Sequence, residues 1–552
     1  MTATLTAPPA GVTARARRAK RPWARTGALV RLYLRLDRVR IVIWALALGL
    51  TVAGIVPALE AAYPDAAARQ SRATLMTNPS AVLMSGPSFG LDSYTFGAMV
   101  ANEVSLTVLV ATSIMAILLV VRHTRADEEA GRTEVLRAQP VGRYAPAAAA
   151  LAAVTVATLA VGATVAAALI GAGLETASAL AMGLGTALTG LVFGAVAAVT
   201  TQLTAHARAA SGLAMAVLGA AFLVRGVGDI LHPGGSWLSW FSPLAWAQQA
   251  RLFVALRWWP LGLSLAATLV LLAVAVSLAQ RRDLGAGLLA GRPGPAVAPA
   301  ALLSPAGVAR RLLRGSFGGW GAGLLLLAVA FGALANSLED AVAGLPDLRE
   351  WIGAGTALDD LTATFGAAML SFLVLGVAAF AVSAVLRLRA EEETGRTELV
   401  LASGTSRPGW LAGWLAVVAV QTVVLLVVSG FGLGLGMAVV TGDGGWVGRL
   451  AVGALAYLPA VAVVAGLAVA LVGLLPRVAA LVWVLVAYVV LVTWFGGLLN
   501  LPAWARDVSP LARTPYVPVE EVAAGPLAAL AAVAVVLMGL GFVGFRRRDL
   551  GG

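Results

Sequence analysis

One short charged passage occurs twice in this chain. Arg125–Arg143 reads RADEEAGRTEVLRAQPVGR, and Arg389–Arg407 reads RAEEETGRTELVLASGTSR. Each follows a long apolar run and precedes another. Arg143 and Arg407 stand 264 residues apart, close to half of the 552 residues. Two further pairs keep nearly that spacing. Ser242-Pro243-Leu244 returns as Ser509-Pro510-Leu511, and Arg281-Arg282-Asp283-Leu284-Gly285 returns as Arg547-Arg548-Asp549-Leu550-Gly551. An internal repeat constrains architecture more than any local signal. Here it implies two tandem, pseudo-symmetric halves, each with an acidic-basic loop.

Composition decides where such halves can live. Apolar residues make up 60% of the chain, charged residues 12%, and mean hydropathy is +0.89. A soluble domain has about 45–50% apolar and about 25% charged residues, so the expected class is an all-α polytopic membrane protein. Six apolar spans can be drawn in each half, at roughly 41–59, 98–121, 145–171, 177–203, 209–230 and 260–280, then 318–337, 365–386, 409–438, 447–474, 478–499 and 525–545, each near the roughly 20 residues a helix needs to cross a bilayer. About 12 spans put both termini on one side. Placing them in the cytoplasm puts most of the Arg and Lys inside, as membrane topology favours. The net charge of +12 therefore reflects orientation and anionic headgroups rather than nucleic acid, and the expected location is the bacterial inner membrane. Expected segments are a basic cytosolic tail (1–25), a first half (26–284), a Gly/Pro-rich linker (285–305) and a second half (306–552). Leu29, Leu32, Leu36 and Val39 share an apolar face, with Arg31, Arg35 and Arg38 elsewhere, which predicts an interfacial helix ahead of the first span.

Chemistry inside the chain is scarce. There is no cysteine and there are three scattered histidines, which argues against a thiol or zinc site. The single lysine, Lys20, lies in the Arg-rich tail. No G-x-x-x-x-G-K-[ST] loop exists to cradle phosphates, so no cofactor is expected on this chain and an energy source must come from elsewhere. No chain of Asp, Glu and His suggests a proton relay through the spans. Glu103, inside the second span, has Ala367 at the matching position of the second half.

The two loops carry the functional signal. Each has three consecutive acids (Asp127, Glu128, Glu129; Glu391, Glu392, Glu393), then Gly-Arg-Thr-Glu (Gly131, Arg132, Thr133, Glu134; Gly395, Arg396, Thr397, Glu398). A topological charge rule would keep the sign of such a loop but not its residue order. Kept order predicts a short helix that serves as a docking surface, and two such loops predict a partner with two equivalent sockets. The pattern resembles the coupling helix of export-type ABC transporter permeases, and the duplicated length resembles the actinobacterial permeases of the polyketide-antibiotic and multidrug exporter type. Pro140-Val141 of the first loop become Gly404-Thr405 in the second, a departure from that pattern.

The resemblance implies an ATP-driven exporter of hydrophobic or amphipathic small molecules. Its partner would be a homodimer of a separate cytosolic ATPase that holds ATP and magnesium, and the fourteen loop residues above would be the docking set. Candidate substrate-path residues are Asn102, Glu103, Phe222 and Tyr488. The aromatic stretches 232–259 and 494–516, bent at Ser-Pro-Leu, supply candidate outer-gate residues: Trp240, Phe241, Pro243, Trp246, Trp504 and Pro510. The rival expectations are a proton-driven 12-span carrier and a polytopic membrane enzyme.

Overall fold

A computed structural model describes residues 22–283, 285–289, 296–335, 358–495, 504 and 507–548. The N-terminal tail, the middle of the linker, most of the 338–364 loop and most of 496–506 lie outside the described residues. Among the described residues there is no strand. Among the described residues twelve helices are long and apolar enough to cross a membrane. In chain order these are α1 Thr26–Ala62, α2 Phe96–Glu129, α3 Ala145–Gly171, α4 Thr176–Leu203, α5 Ala207–Leu231, α6 Trp259–Gln280, α7 Pro305–Gly332, α8 Thr362–Glu393, α9 Arg407–Thr441, α10 Gly445–Leu474, α11 Pro476–Thr493 and α12 Ala524–Arg547. Their outward faces carry large apolar side chains such as Leu50, Val270 and Val535, each more than 60% exposed. Such surfaces are stable only against lipid, and the protein is a multi-pass membrane protein.

The chain divides into two compact units, residues 1–293 and 294–552. In the first, α1 packs on α3, α3 on α4, and α4 on both α2 and α6. In the second, α7 packs on α9, α9 on α10, and α10 on both α8 and α12. Lipid gives helices no hydrophobic reason to associate, so small residues that permit close backbone approach hold them together. A Cβ on Gly162 of α3 would meet the Gly183 carbonyl oxygen of α4 at 2.3 Å. One on Gly473 of α10 would meet that of Gly541 on α12 at 2.2 Å.

The expected interfacial helix is not separate. α1 runs without interruption from Thr26. Leu29 and Tyr33 are buried against Ala145, Ala149 and Ala153 of α3, whereas Leu32, Leu36 and Val39 are exposed. Packing on α3 divides the predicted apolar face and holds the segment in line with the span. α7 likewise begins at Pro305, with Ser304 Oγ capping Gly307 N at 3.1 Å, a full three turns before the expected start.

Candidate functional site: the two charged loops

Both loops are built alike. α2 continues through a π-turn at Arg122–Ala126 to Glu129, and α8 runs to Glu393. A glycine then turns the chain, Gly131 at φ 73° and Gly395 at φ 72°. Nothing lies within 4 Å of a Cβ on either. Glycine is therefore required by its left-handed backbone and not by space. A short helix follows, Arg132–Arg137 in the first loop and Arg396–Ala402 in the second. In place of Pro140-Val141, the second helix ends at Gly404, φ 88°, whose N–H donates to Leu401 O at 3.1 Å. The helix closes there on a left-handed residue.

The three acids do different work. The first closes the turn: Asp127 accepts from Arg132 Nε at 2.8 Å, and Glu391 accepts from Arg396 Nε. That hydrogen bond and the Glu391 charge raise the Arg396 pKa above its ordinary value. The second acid reaches the end of the sixth span of its own unit. Glu128 takes Arg282 Nη1 and Nη2, both at 2.8 Å, and the Gly285 N–H at 2.7 Å. Glu392 takes Arg548 Nη2 at 2.7 and 2.6 Å. Both carboxylates are under 10% exposed. The third acids face solvent, Glu129 binding His206 and the Ala207 N–H, and Glu393 binding Arg389. At the far end of each loop an arginine closes the same circuit, Arg143 Nη2 on Ala279 O at 3.3 Å and Arg407 Nη1 on Arg548 O at 2.7 Å.

Thus the repeated loop and the repeated Arg-Arg-Asp end are two sides of one clasp. Asp127, Glu128, Glu391 and Glu392, with Arg132 and Arg396, are engaged within it. Thr397 is buried and Thr133 half-buried. What projects is the far edge of each short helix: Glu134 and Val135 in the first, Glu398 and Leu399 in the second, with Val135 70% and Leu399 74% exposed. Val135 and Leu399 were not singled out by sequence, yet they occupy matching positions after the repeated Glu.

The first loop has an addition that linear spacing hides. His123 in the π-turn is buried, hydrogen-bonded through Nε2 to buried Asp37 of α1, stacked on Tyr33 at 4.3 Å, and 3.9 Å from Asp127 through Nδ1. These four groups, scattered in sequence, join α1 to the loop. Arg125, also buried, donates to Thr201 O at 2.7 Å and Ala286 O at 3.0 Å.

The remaining candidates lie away from the loops. Asn102 holds the Phe89 backbone, accepting its N–H at 3.3 Å and donating to its carbonyl at 3.1 Å. Glu103 takes both Nε (2.9 Å) and Nη2 (3.2 Å) of Arg72, on the short helix Ala66–Leu75. Both are thus committed to tying the 66–95 segment to α2. Burial disfavours the Arg72 charge, but Glu103 outweighs it and raises the Arg72 pKa. Phe222 lies under the Arg225 guanidinium at 5.2 Å, whereas Tyr488 is half-buried on α11 of the other unit. Trp240 stacks on Trp259 at 5.2 Å and its carbonyl accepts Trp246 Nε1 at 2.7 Å. Pro243 opens the helix Pro243–Gln248, capped by Ser242 Oγ. Phe241 and Trp504 are exposed, and Pro510 is buried before the turn Leu511–Arg513. The second Ser-Pro-Leu is not used like the first, since Ser509 Oγ is buried without a partner.

Comparison with known proteins agrees with this architecture. The family described as the multidrug efflux system permease Rv1217c, C-terminal domain, matches residues 302–546. The multidrug efflux system permease protein Rv1217c of Mycobacterium tuberculosis is 38% identical over 528 residues, covering 95% of each chain. Identity at that level, over nearly the full length of both, means that this chain belongs to the family of multidrug efflux system permeases that includes Rv1217c.

Proposed function

We propose that this permease is the membrane subunit of an ATP-driven exporter of hydrophobic or amphipathic compounds, and that a separate ATPase dimer drives it through the two loop helices. The observation that carries the reading is the matched pair of projecting edges, Glu134-Val135 and Glu398-Leu399. Each is an exposed acid beside an exposed apolar side chain, on a helix whose first arginine is paired back to the first acid of its loop. A single exposed apolar side chain is ordinary, but the same acid-apolar pair recurs at matching positions of the two loops, and two like edges suit a partner with two like sockets. Motion at either edge would reach two spans at once. The short helix follows directly from α2 or α8, and the clasp ties it to the end of α6 or α12. Switching access from one side to the other then requires only that nucleotide binding bias one of two arrangements of these spans.

The test is co-purification of the chain with its ATPase, together with efflux from energised cells. Val135→Asp combined with Leu399→Asp puts charge on both edges without touching the clasp. Expected are loss of ATPase capture and of efflux, with normal membrane insertion and size-exclusion behaviour. Full efflux by the double variant, abolished by a proton uncoupler at constant ATP, would instead establish a proton-driven carrier.

A further inference from the structure

The second unit contains a groove of about 840 Å³ between α7, α9 and the turn Ala300–Leu303. That size is within the roughly 300–1,000 Å³ of small-molecule sites. Its walls have two characters. Leu302, Phe317, Val417, Val420 and Val424 make an apolar trough, while Arg310, Arg311 and Arg314 line one end. Arg310 and Arg314 are four residues apart and so share a helix face. Among the described residues no carboxylate pairs with any of the three. This is unlike Arg125, Arg132, Arg389 and Arg396 of the loops, each of which is matched to an acid.

A second, independent observation comes from the opposite wall. Gln421 of α9 is 94% buried, lines the groove, and has no hydrogen-bond partner for Oε1. A buried amide left unsatisfied costs free energy unless something in the groove meets it. Its depth can be placed. α7 and α9 run side by side in one direction, since Gly413 lies against Pro305 and Ala306, and Gly436 against Val329 and Gly332. Gln421 is therefore level with Leu313 and Arg314. Arg310 and Arg311 precede Arg314 by about one helical turn, so their guanidinium groups sit nearer the helix start than the amide does. By the same register Val417 and Val420 lie level with Arg310 to Leu313, and only Phe317 and Val424 lie beyond the amide, so a ligand meets cations against an apolar wall, then one neutral amide, then an apolar end.

We propose that this groove binds one anionic phospholipid from the adjoining leaflet. The three arginines take the headgroup phosphate, which guanidinium donors suit. A half-turn of the Gln421 amide puts Nε2 where the unpaired Oε1 stands, so that it donates to an acyl ester carbonyl, and one acyl chain lies along Phe317 and Val424. Such a lipid would fill the space between the linker turn and α7 and fasten the start of the second unit to the membrane.

The test uses the full chain, purified, delipidated in detergent and examined by native mass spectrometry. The probes are phosphatidylglycerol, phosphatidylcholine and glycerol 3-phosphate. Expected is one tightly held phosphatidylglycerol adduct, with phosphatidylcholine and glycerol 3-phosphate each at least about tenfold weaker. Affinity should fall roughly fivefold for each arginine removed in Arg310→Gln, Arg311→Gln and Arg314→Gln. Val420→Trp, at an already exposed position, should block the same adduct by filling the trough while leaving all three charges in place. Equal binding of phosphatidylcholine, equal binding of glycerol 3-phosphate, or retention of the adduct in either the triple arginine variant or Val420→Trp would overturn the proposal. None of these readouts depends on an ATPase.

Discussion

The clasp between Glu128 and Arg282 makes a prediction whose size follows from its geometry. The Glu128 carboxylate accepts three hydrogen bonds of 2.7–2.8 Å, two from Arg282 and one from the Gly285 N–H, with its side chain 8% exposed and that of Arg282 13% exposed. Glu128→Gln keeps the shape, removes the charge and replaces one acceptor with a donor that faces a guanidinium. A charged hydrogen bond contributes about 1.5–3 kcal/mol net, and breaking one side of a buried pair costs more than the pair itself contributes. Arg282 keeps Gln202 Oε1 at 2.6 Å and Ala286 O at 3.0 Å, so it is not wholly orphaned. We therefore expect local opening of the clasp to become easier by about 2–3 kcal/mol. At about 1.4 kcal/mol per tenfold, this is a roughly 30- to 140-fold loss of protection. Amide hydrogen exchange measures it directly, with Gly285 and residues 127–137 as reporters. Arg282→Gln, which also gives up Gln202 and Ala286, should lose at least as much, and the double variant little more than Arg282→Gln alone, because both substitutions remove the same contact. Unchanged protection at Gly285 in Glu128→Gln, or losses in the double variant that simply add, would refute the assignment of the clasp as one interaction.

Other expectations follow from single contacts. Gly131→Ala and Gly395→Ala should each destabilise their loop turn by about 1–2 kcal/mol, the cost of a side chain in the left-handed region, seen as faster exchange in the adjoining helix without loss of membrane insertion. Gly162→Val should lower the thermal stability of the purified protein more than Gly171→Val. A Cβ at 162 meets a backbone oxygen at 2.3 Å whereas one at 171 meets nothing within 4 Å, and the difference is readable in a fluorescence-detected melting series. Glu103→Gln should release the 66–95 segment, so that limited proteolysis cuts there at least several times faster. Indifference to protease would remove Arg72–Glu103 as the tie.

Much of the fold was legible because hydropathy and span length are properties of consecutive residues. The repeat placed the two loops, and the run of three acids followed by Gly-Arg-Thr-Glu marked both short helices. What sequence could not supply was pairing across distance. Glu128 and Arg282 are 154 residues apart and Asp37 and His123 are 86 apart, and nothing in local spacing brings either pair together. The interfacial-helix expectation failed for a related reason. Periodicity shows that Leu29, Leu32, Leu36 and Val39 share a face, but not that Ala145, Ala149 and Ala153 of another helix cover only part of it. Glu103 looked notable as a carboxylate in an apolar span because its partner, Arg72, lies 31 residues upstream on a short helix that carries no strong signal of its own.

The order kept within the repeat now has a physical cause. A loop selected only to remain on one side of a membrane needs its charges, not their sequence. Here the first acid must reach the arginine after the glycine, the second must reach the end of the sixth span, and the last arginine must reach a carbonyl there. Moving any one by a single helical position turns it about 100° away from its partner. Each clasp leaves one feature it does not use, the projecting Glu and its apolar neighbour. Residue order is thus accounted for by internal contacts, while Glu134-Val135 and Glu398-Leu399 recur without any internal contact to explain them. A partner outside the chain is the simplest selective reason for those two positions, which is why charge placed on them tests the proposed function more sharply than reversal of Glu128 and Glu392, whose loss would loosen the loops themselves.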